Sequence, residues 1–160
     1  MNLVKILKNA FLVVLFSFVL SACATKTKQM GSQLQGDVYT GTDTIEYLAK
    51  GVPDRVFFAT NKSSLTTRSR DTLRKQATWL RKNKDISVTV EGHADERGTR
   101  EYNLALGERR ANAAKDYLMT YGISGKRINV ISYGKEKPVN PASNPLAWSQ
   151  NRRSVTVKAN

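Results

Sequence analysis

The stretch GHADERGTREYNLALGERRANAAKDYL, Gly92–Leu118, contains the clearest structural pattern of the chain. Its opening segment, HADERGTR, is polar and contains a glycine, so it predicts a loop. From Leu106 onward apolar residues return at helical spacing, and Gly122 is well placed to end the helix that they predict. The stretch therefore predicts a loop that carries charges of both signs, followed by a long helix.

The residues on either side extend this pattern to a whole domain. Ile86, Val88 and Val90 alternate with polar residues and predict a strand, and a basic amphipathic helix that begins at Thr66 or Thr67 precedes it. Further strands are predicted at 55–58, 127–132 and 154–157, and the prolines between residues 137 and 150 predict a loop with about one helical turn. The order β-α-β-α-β-β predicts an α+β two-layer sandwich, in which two long helices pack on one face of a mixed sheet.

The N-terminal residues predict export from the cytoplasm. Two lysines precede the apolar run Ala10–Leu20, which is far shorter than the roughly 20 residues that span a bilayer as a helix. Leu20-Ser21-Ala22-Cys23 follows it and resembles a bacterial lipobox, in which the cysteine thiol takes a diacylglycerol. Residues 1–22 are therefore predicted to be a lipoprotein signal peptide and Cys23 the lipidated residue. The alternative is an ordinary secretory signal with a chance cysteine.

The rest of the chain divides into two parts. Residues 23–51 are rich in Thr, Gly, Gln and Lys, and we interpret them as a flexible, lipid-anchored tether. Residues 52–160 are sufficient for one domain with one core. Because Cys23 is the only cysteine, no internal disulfide can form and the stability must come from packing.

The charge restricts the partners. Removal of residues 1–22, which contain Lys5 and Lys8, lowers the formal net charge from +13 to +11. A chain this basic would suggest nucleic acid as its partner. An exported, lipid-anchored protein instead meets anionic lipids, lipopolysaccharide and cell-wall polymers, so the sequence argues against nucleic-acid binding.

Catalysis has little support in the sequence. His93 is the only histidine, whereas a zinc site needs three or four suitable ligands. Serines are present, but no Gly-x-Ser-x-Gly elbow or comparable nucleophile setting accompanies them. We therefore predict neither enzymatic activity, nor a cofactor, nor a metal site, and we interpret His93 as a hydrogen-bonded residue at the end of a strand.

Binding is the better-supported alternative. Asp95 lies in the predicted loop, and Arg110 lies about one turn into the following helix, so the loop can fold back and set the two side by side at one cleft. A carboxylate that accepts from an ammonium group and a guanidinium that donates to a carboxylate together fit a zwitterion. The side-chain end of meso-diaminopimelate in peptidoglycan stem peptides has both groups. A structural Asp–Arg ion pair is the alternative that these residues leave open.

A family resemblance adds to this interpretation. The Gly92–Leu118 stretch, followed by SYGKEKP and NRRSV, closely resembles the outer-membrane-protein-A C-terminal-like family, and among its members the lipid-anchored ones of the Tol-Pal system. The resemblance covers residues 56–158 and implies non-covalent binding to diaminopimelate of uncrosslinked stem peptides. It further implies attachment of the outer membrane to the cell wall from the periplasmic face, a role in envelope integrity and cell division, and TolB as a protein partner. Flagellar stator members of the family would need an uncleaved membrane helix with an acidic residue, which residues 1–20 lack.

The resemblance also implies particular ligand-binding residues. They are Asp95, Arg110, Asn103, Leu106 and Arg152, although Arg152 and Arg153 cannot be ranked from the sequence. Asn103 and Leu106 have alternative roles as a first-turn polar residue and a core leucine.

One departure from the family pattern concerns the end of the first strand. The family commonly shows Phe-x-Phe-Asp, whereas this chain has Phe58-Ala59-Thr60-Asn61, so Thr60 and Asn61 take the places of an aromatic residue and a carboxylate. An amide lacks the charge that attracts an ammonium group. Either the affinity is lower or the basic charge of the chain compensates by attracting the anionic wall polymer.

Overall fold

The computed structural model describes residues Leu34–Ala159. Its helices are α1 (Thr67–Lys82), α2 (Arg100–Thr120) and α3 (Pro145–Asn151), with a 3-10 turn at Gly125–Arg127. Its strands are β1 (Leu34–Gln35), β2 (Val38–Tyr39), β3 (Tyr47–Ala49), β4 (Val52–Pro53), β5 (Arg55–Phe57), β6 (Val88–His93), β7 (Ile128–Gly134) and β8 (Arg153–Lys158). Among these elements no helix is long and apolar enough to cross a membrane. The predicted signal peptide and Cys23 lie outside the described residues.

The central sheet confirms the predicted α+β sandwich. Its strand order is β5-β8-β6-β7, in which β6 and β7 are parallel and β8 is antiparallel to both β5 and β6. Helices α1 and α2 pack against this sheet and share one hydrophobic core with it. The core residues are Val56, Phe58, Leu73, Ala77, Leu80, Val88, Val90, Ala111, Ala114, Leu118, Ile123 and Ile128.

Threonine caps set where the two long helices begin. Thr66 Oγ1 accepts from Ser69 N at 3.1 Å, so Thr66 is the N-cap of α1 and the helix begins at Thr67. Thr99 Oγ1 accepts from Tyr102 N at 3.2 Å, so α2 begins at Arg100, well before the apolar pattern starts at Leu106. The first turn of α2 is polar, so the apolar spacing could not indicate where the helix begins. Arg110 therefore lies about three turns into the helix, and the expectation that it lies one turn in was wrong.

Two glycines set the distance between α2 and the sheet. A Cβ atom on Gly92 would lie 1.8 Å from the backbone oxygen of Gly107 in α2, so a larger residue cannot stand there unless the helix moves. This close approach puts the middle of α2 directly over the end of β6. The site described below is built around that crossing.

The N-terminal part of the described chain packs on the domain. Tyr39 is fully buried and lies edge-on to Phe57, with ring centroids 4.8 Å apart, and Leu48 is also buried. Tyr39 belongs to β2, which pairs with β1, and Leu48 belongs to β3, which pairs with β4; both pairs are short and antiparallel. Residues 34–51 of the predicted tether 23–51 therefore pack on the domain, and residues 23–33 lie outside the described part of the chain. The physical reason is that single apolar residues fill separate positions on the domain without producing a periodic pattern.

Candidate functional site

The loop after β6 forms one wall of an open cleft of about 350 Å³. The residues that line the cleft are Thr60, Asn61, Asp95, Arg97, Gly98 and Tyr102. Asn103 Nδ2 donates to Arg97 O at 2.9 Å, and Lys135 Nζ donates to Gly98 O at 2.8 Å, so the loop is held from α2 and from the chain that follows β7. The predicted charged loop is therefore a fixed part of the site.

Asp95 is the central anion of the cleft. Its Oδ1 accepts from Arg97 N and Arg97 Nε, both at 3.1 Å, and its Oδ2 accepts from Arg97 Nη2 at 2.7 Å and from Arg152 Nη1 at 3.2 Å. Burial alone would raise the pKa of this carboxyl group, but the hydrogen bonds from Arg97 and Arg152 outweigh burial and lower it. Asp95 is therefore an ionised carboxylate whose oxygens are already occupied by arginine donors.

We expected Arg110 to lie beside Asp95 at the cleft surface, but the structure places it elsewhere. Its side chain is fully buried, and its nitrogens donate to three backbone oxygens: His93 O at 2.8 Å, Lys62 O at 2.9 Å and Ala59 O at 3.1 Å. Burial, followed by the positive charge of Arg152, lowers the pKa of this guanidinium to about 10. The long side chain reaches under the cleft and joins the end of β6 to the segment after β5, which charge types alone could not indicate.

The structure separates Arg152 from Arg153. Arg152 is buried beside Asp95 and donates from Nε to Phe58 O at 3.1 Å. Arg153, the first residue of β8, donates instead to Lys137 O at 3.2 Å, and its charge acts on Arg55 and His93. Successive residues of the chain here point in different directions, so of the two arginines Arg152 is the one that contacts Asp95.

Asn103 and Leu106 are both buried, with 1% and 3% of their surfaces exposed. Asn103 supports the loop through Arg97 O, and Leu106 lies on the buried side of α2. Neither is among the residues that line the cleft. Asn103 therefore positions the loop, and Leu106 is a buried hydrophobic residue of α2.

Thr60 and Asn61 form the wall opposite the loop. Thr60 Oγ1 accepts from Arg97 Nη2 at 3.4 Å, and Asn61 adopts a φ of 54°, in the left-handed region that asparagine tolerates. The backbone N–H of Thr60 donates to Asp37 Oδ2 at 2.5 Å. A carboxylate is thus present here, although it comes from the N-terminal segment and not from the position of Asn61.

Sequence reasoning missed three exposed or half-exposed residues of the site. The Arg97 side chain is 42% exposed and its guanidinium lies 4.3 Å from the ring centroid of Trp148, a cation–π contact. Tyr102 is 43% exposed at the rim of the cleft. Asp37 lies in a segment that carries no motif. Arg97 stood next to Asp95 in the quoted loop, so its charge was the signal that could have found it.

His93 lies at the end of β6, as expected, but the predicted hydrogen bond does not reach normal geometry. Within the described chain neither ring nitrogen has a hydrogen-bond partner, and Nε2 lies 3.6 Å from Glu91 Oε2. Burial lowers its pKa to about 3, and the positive charges of Arg153, Arg55 and Lys137 add to that effect. The imidazole is therefore neutral at physiological pH. Residues 34–159 contain no group of three or more His, Cys, Asp or Glu side chains that could hold a metal ion.

The fold is that of a small α+β domain, and its cleft brings side chains of both charge signs together. A family model described as the OmpA family matches residues 57–152. The "Peptidoglycan-associated lipoprotein" of Agrobacterium fabrum is 42% identical over 160 residues, which cover 96% of this chain and 89% of that protein. The chain belongs to the OmpA family and, within it, to the peptidoglycan-associated lipoproteins.

Two further comparisons agree with this assignment. The protein of the same description from Rhizobium meliloti is 57% identical over 106 residues, which are 66% of this chain and 60% of that relative's length. The crystal structure of the peptidoglycan-associated lipoprotein from Burkholderia pseudomallei superposes with a TM-score of 0.65 at 35% identity, and covers 66% of this chain and 90% of that one. The family and the fold therefore rest on both sequence and structure.

Proposed function

We propose that this protein is an outer-membrane lipoprotein that binds peptidoglycan non-covalently and so attaches the outer membrane to the cell wall. Its ligand is the diaminopimelate of uncrosslinked stem peptides, and its cellular role is that of the Tol-Pal system in envelope integrity and cell division. The name that its relatives share, peptidoglycan-associated lipoprotein, supports the peptidoglycan part of this proposal. The observation that carries it is the cleft at the end of β6, in which Asp95, Arg97 and Arg152 bring both charge signs together.

The contacts indicate how a zwitterion would enter the cleft. Asp95 has no unused oxygen position, so a ligand ammonium group would replace one of its arginine partners. Arg97 is the partner that can leave, because its side chain is 42% exposed whereas that of Arg152 is 4% exposed. Arg152 and the buried Arg110 would remain, and their positive charge favours a ligand carboxylate nearby. Arg110 thus supports ligand binding through its charge and by joining the end of β6 to the segment after β5.

The proposed activity is binding without bond cleavage. Purified full-length protein in detergent should sediment with isolated sacculi, and the supernatant should contain no released muropeptides. Soluble fragments would contradict the non-enzymatic proposal, and protein that stays in the supernatant would contradict wall binding.

TolB is proposed as a second partner on the loop 94–100, so added TolB should reduce the sedimented fraction. Unchanged sedimentation with saturating TolB would separate the two surfaces.

We further propose that lipid chains on Cys23 hold the protein in the inner leaflet of the outer membrane. A diacylglycerol together with an N-acyl chain binds a membrane far more firmly than one acyl chain does. The variant Cys23→Ser should therefore be lost from washed outer membranes and appear in the soluble periplasmic or unprocessed fraction. Immunoblotting of the fractions measures this, and wild-type retention of the variant would show that acylation is not the anchor.

A further inference from the structure

A second binding position, which suits an anion, lies beside Asp95 on the other side of the Arg152 guanidinium. It consists of the backbone N–H of Thr60 and the guanidinium of Arg152. Asp37 fills it: Asp37 Oδ2 accepts from Thr60 N at 2.5 Å and lies 4.0 Å from Arg152 Nη2. A backbone N–H beside a guanidinium is an arrangement that carboxylates generally prefer. The chain therefore supplies its own carboxylate to this position.

The contact of Asp37 is one that can be exchanged. Its side chain is 49% exposed, whereas that of Arg152 is 4% exposed, so the donors are fixed and the acceptor is accessible to water. Arg152 Nη2 also donates to the backbone oxygen of Asp37, which keeps the segment near the cleft. Burial would raise the pKa of Asp37, but the hydrogen bonds from Thr60 and the charge of Arg152 lower it, so the group is ionised at neutral pH.

Asp95 and the position that Asp37 occupies together suit the two charged groups of a zwitterion, with an ammonium group at Asp95 and a carboxylate in place of Asp37. Both carboxylates flank the same guanidinium, with Asp95 near Nη1 and Asp37 near Nη2 of Arg152. Arg97 pairs with Asp95, and the negative charge of Asp37 also raises the pKa of Arg97. A ligand ammonium group at Asp95 and a ligand carboxylate at Thr60 N–H would therefore be neighbours. The ammonium and carboxylate groups at one end of an amino acid are neighbours in the same way.

From this geometry we propose that Thr60 N–H and Arg152 form the carboxylate position of the site, and that Asp37 occupies it until a ligand carboxylate takes its place. The proposal rests on the proposed function, since it assumes a diaminopimelate-type ligand. Asp37 thereby sets the affinity of the cleft: it is an internal competitor, supplied by the segment that leads toward the N-terminus.

The test compares the full-length parent with Asp37→Asn in detergent, by titration with a stem tripeptide that ends in meso-diaminopimelate. The amide competes less well for a position built from positive donors, so Asp37→Asn should bind this peptide about three- to tenfold more tightly. Asp43→Asn is the matched control, because it removes the same charge from the same segment and Asp43 bonds Gln150 Nε2 at 3.2 Å, away from the cleft. The control should bind like the parent.

A second peptide tests the chemistry of the position. A tripeptide that ends in lysine keeps the side-chain ammonium group but lacks the side-chain carboxylate, so Asp37→Asn should not tighten its binding. Equal or weaker binding of the diaminopimelate peptide by Asp37→Asn, or equal tightening by Asp43→Asn, would overturn the role of Asp37 while leaving peptide binding itself established. Failure of every variant to bind that peptide would overturn the proposed function and this inference with it.

Discussion

Replacement of Arg110 by alanine should lower the free energy of unfolding by about 3–5 kcal/mol. The side chain is fully buried and donates to three backbone oxygens, on Ala59, Lys62 and His93. The bond to His93 O is buried, and loss of its donor costs roughly 1–3 kcal/mol. The bonds to Ala59 O and Lys62 O are only partly buried and contribute less, and the removed volume adds a cavity. The recovered desolvation cost of the charge offsets part of this loss. Denaturant unfolding followed by circular dichroism measures the change.

Arg109→Ala is the matched control for this prediction. Arg109 is the preceding residue of α2 and its side chain is exposed, so the same substitution should change the stability by less than about 0.5 kcal/mol. Equal stability of Arg110→Ala and Arg109→Ala would show that the three carbonyl contacts contribute nothing. The structure also changes how binding data on Arg110 should be judged, because lost binding in an unfolded variant says nothing about ligand contact.

Replacement of Asp95 by alanine should weaken binding of the diaminopimelate tripeptide by roughly 2–4 kcal/mol, which is about 30- to 1000-fold. Asp95 is the carboxylate to which the ligand ammonium group would bind, and its removal also leaves the buried Arg152 without its closest anionic partner. Asp95→Asn keeps the shape of the side chain and removes only the charge, so it should show most of the same loss. Calorimetric titration with full-length protein measures both variants.

Asp85→Ala serves as the control, because Asp85 is an exposed carboxylate that precedes β6, at the opposite end of that strand from the cleft. It should bind the peptide like the parent. Circular dichroism at the titration temperature separates loss of binding from loss of folding. A folded Asp95→Asn variant with parental affinity would remove Asp95 from the ligand site.

The sequence predicted the elements in which a periodic pattern continues over several residues, and it did not predict contacts made by single residues. The alternation at Val88 and Val90 and the spacing of Leu73, Ala77 and Leu80 each report one buried face, so β6 and α1 could be predicted. Tyr39 could not, because a single aromatic residue that fills one position on a domain produces no period. The pattern also gave no sign that residues 34–51 return to the domain.

The site shows a similar division. The charged loop and Asp95 were predicted from residue types that have no place in a core, and the structure puts both at the cleft. Partner choice was beyond the sequence: Asp95 pairs with Arg97 and Arg152, while Arg110 bonds backbone oxygens. These three arginines are equivalent in charge, and only the direction and length of each side chain decide which of them reaches Asp95.

The packing of residues 34–51 on the domain determines where a mechanical load would first act. Tension applied through residues 1–33 would reach the β1–β2 hairpin before the central sheet, because β5 follows these elements in the chain. The hairpin pairs only two residues on each strand and would peel open one contact at a time, drawing Asp37 from Thr60, whereas Tyr39 is fully buried and resists extraction. Stretching between membrane and wall would then separate Asp37 from Thr60 N–H while the core stays intact.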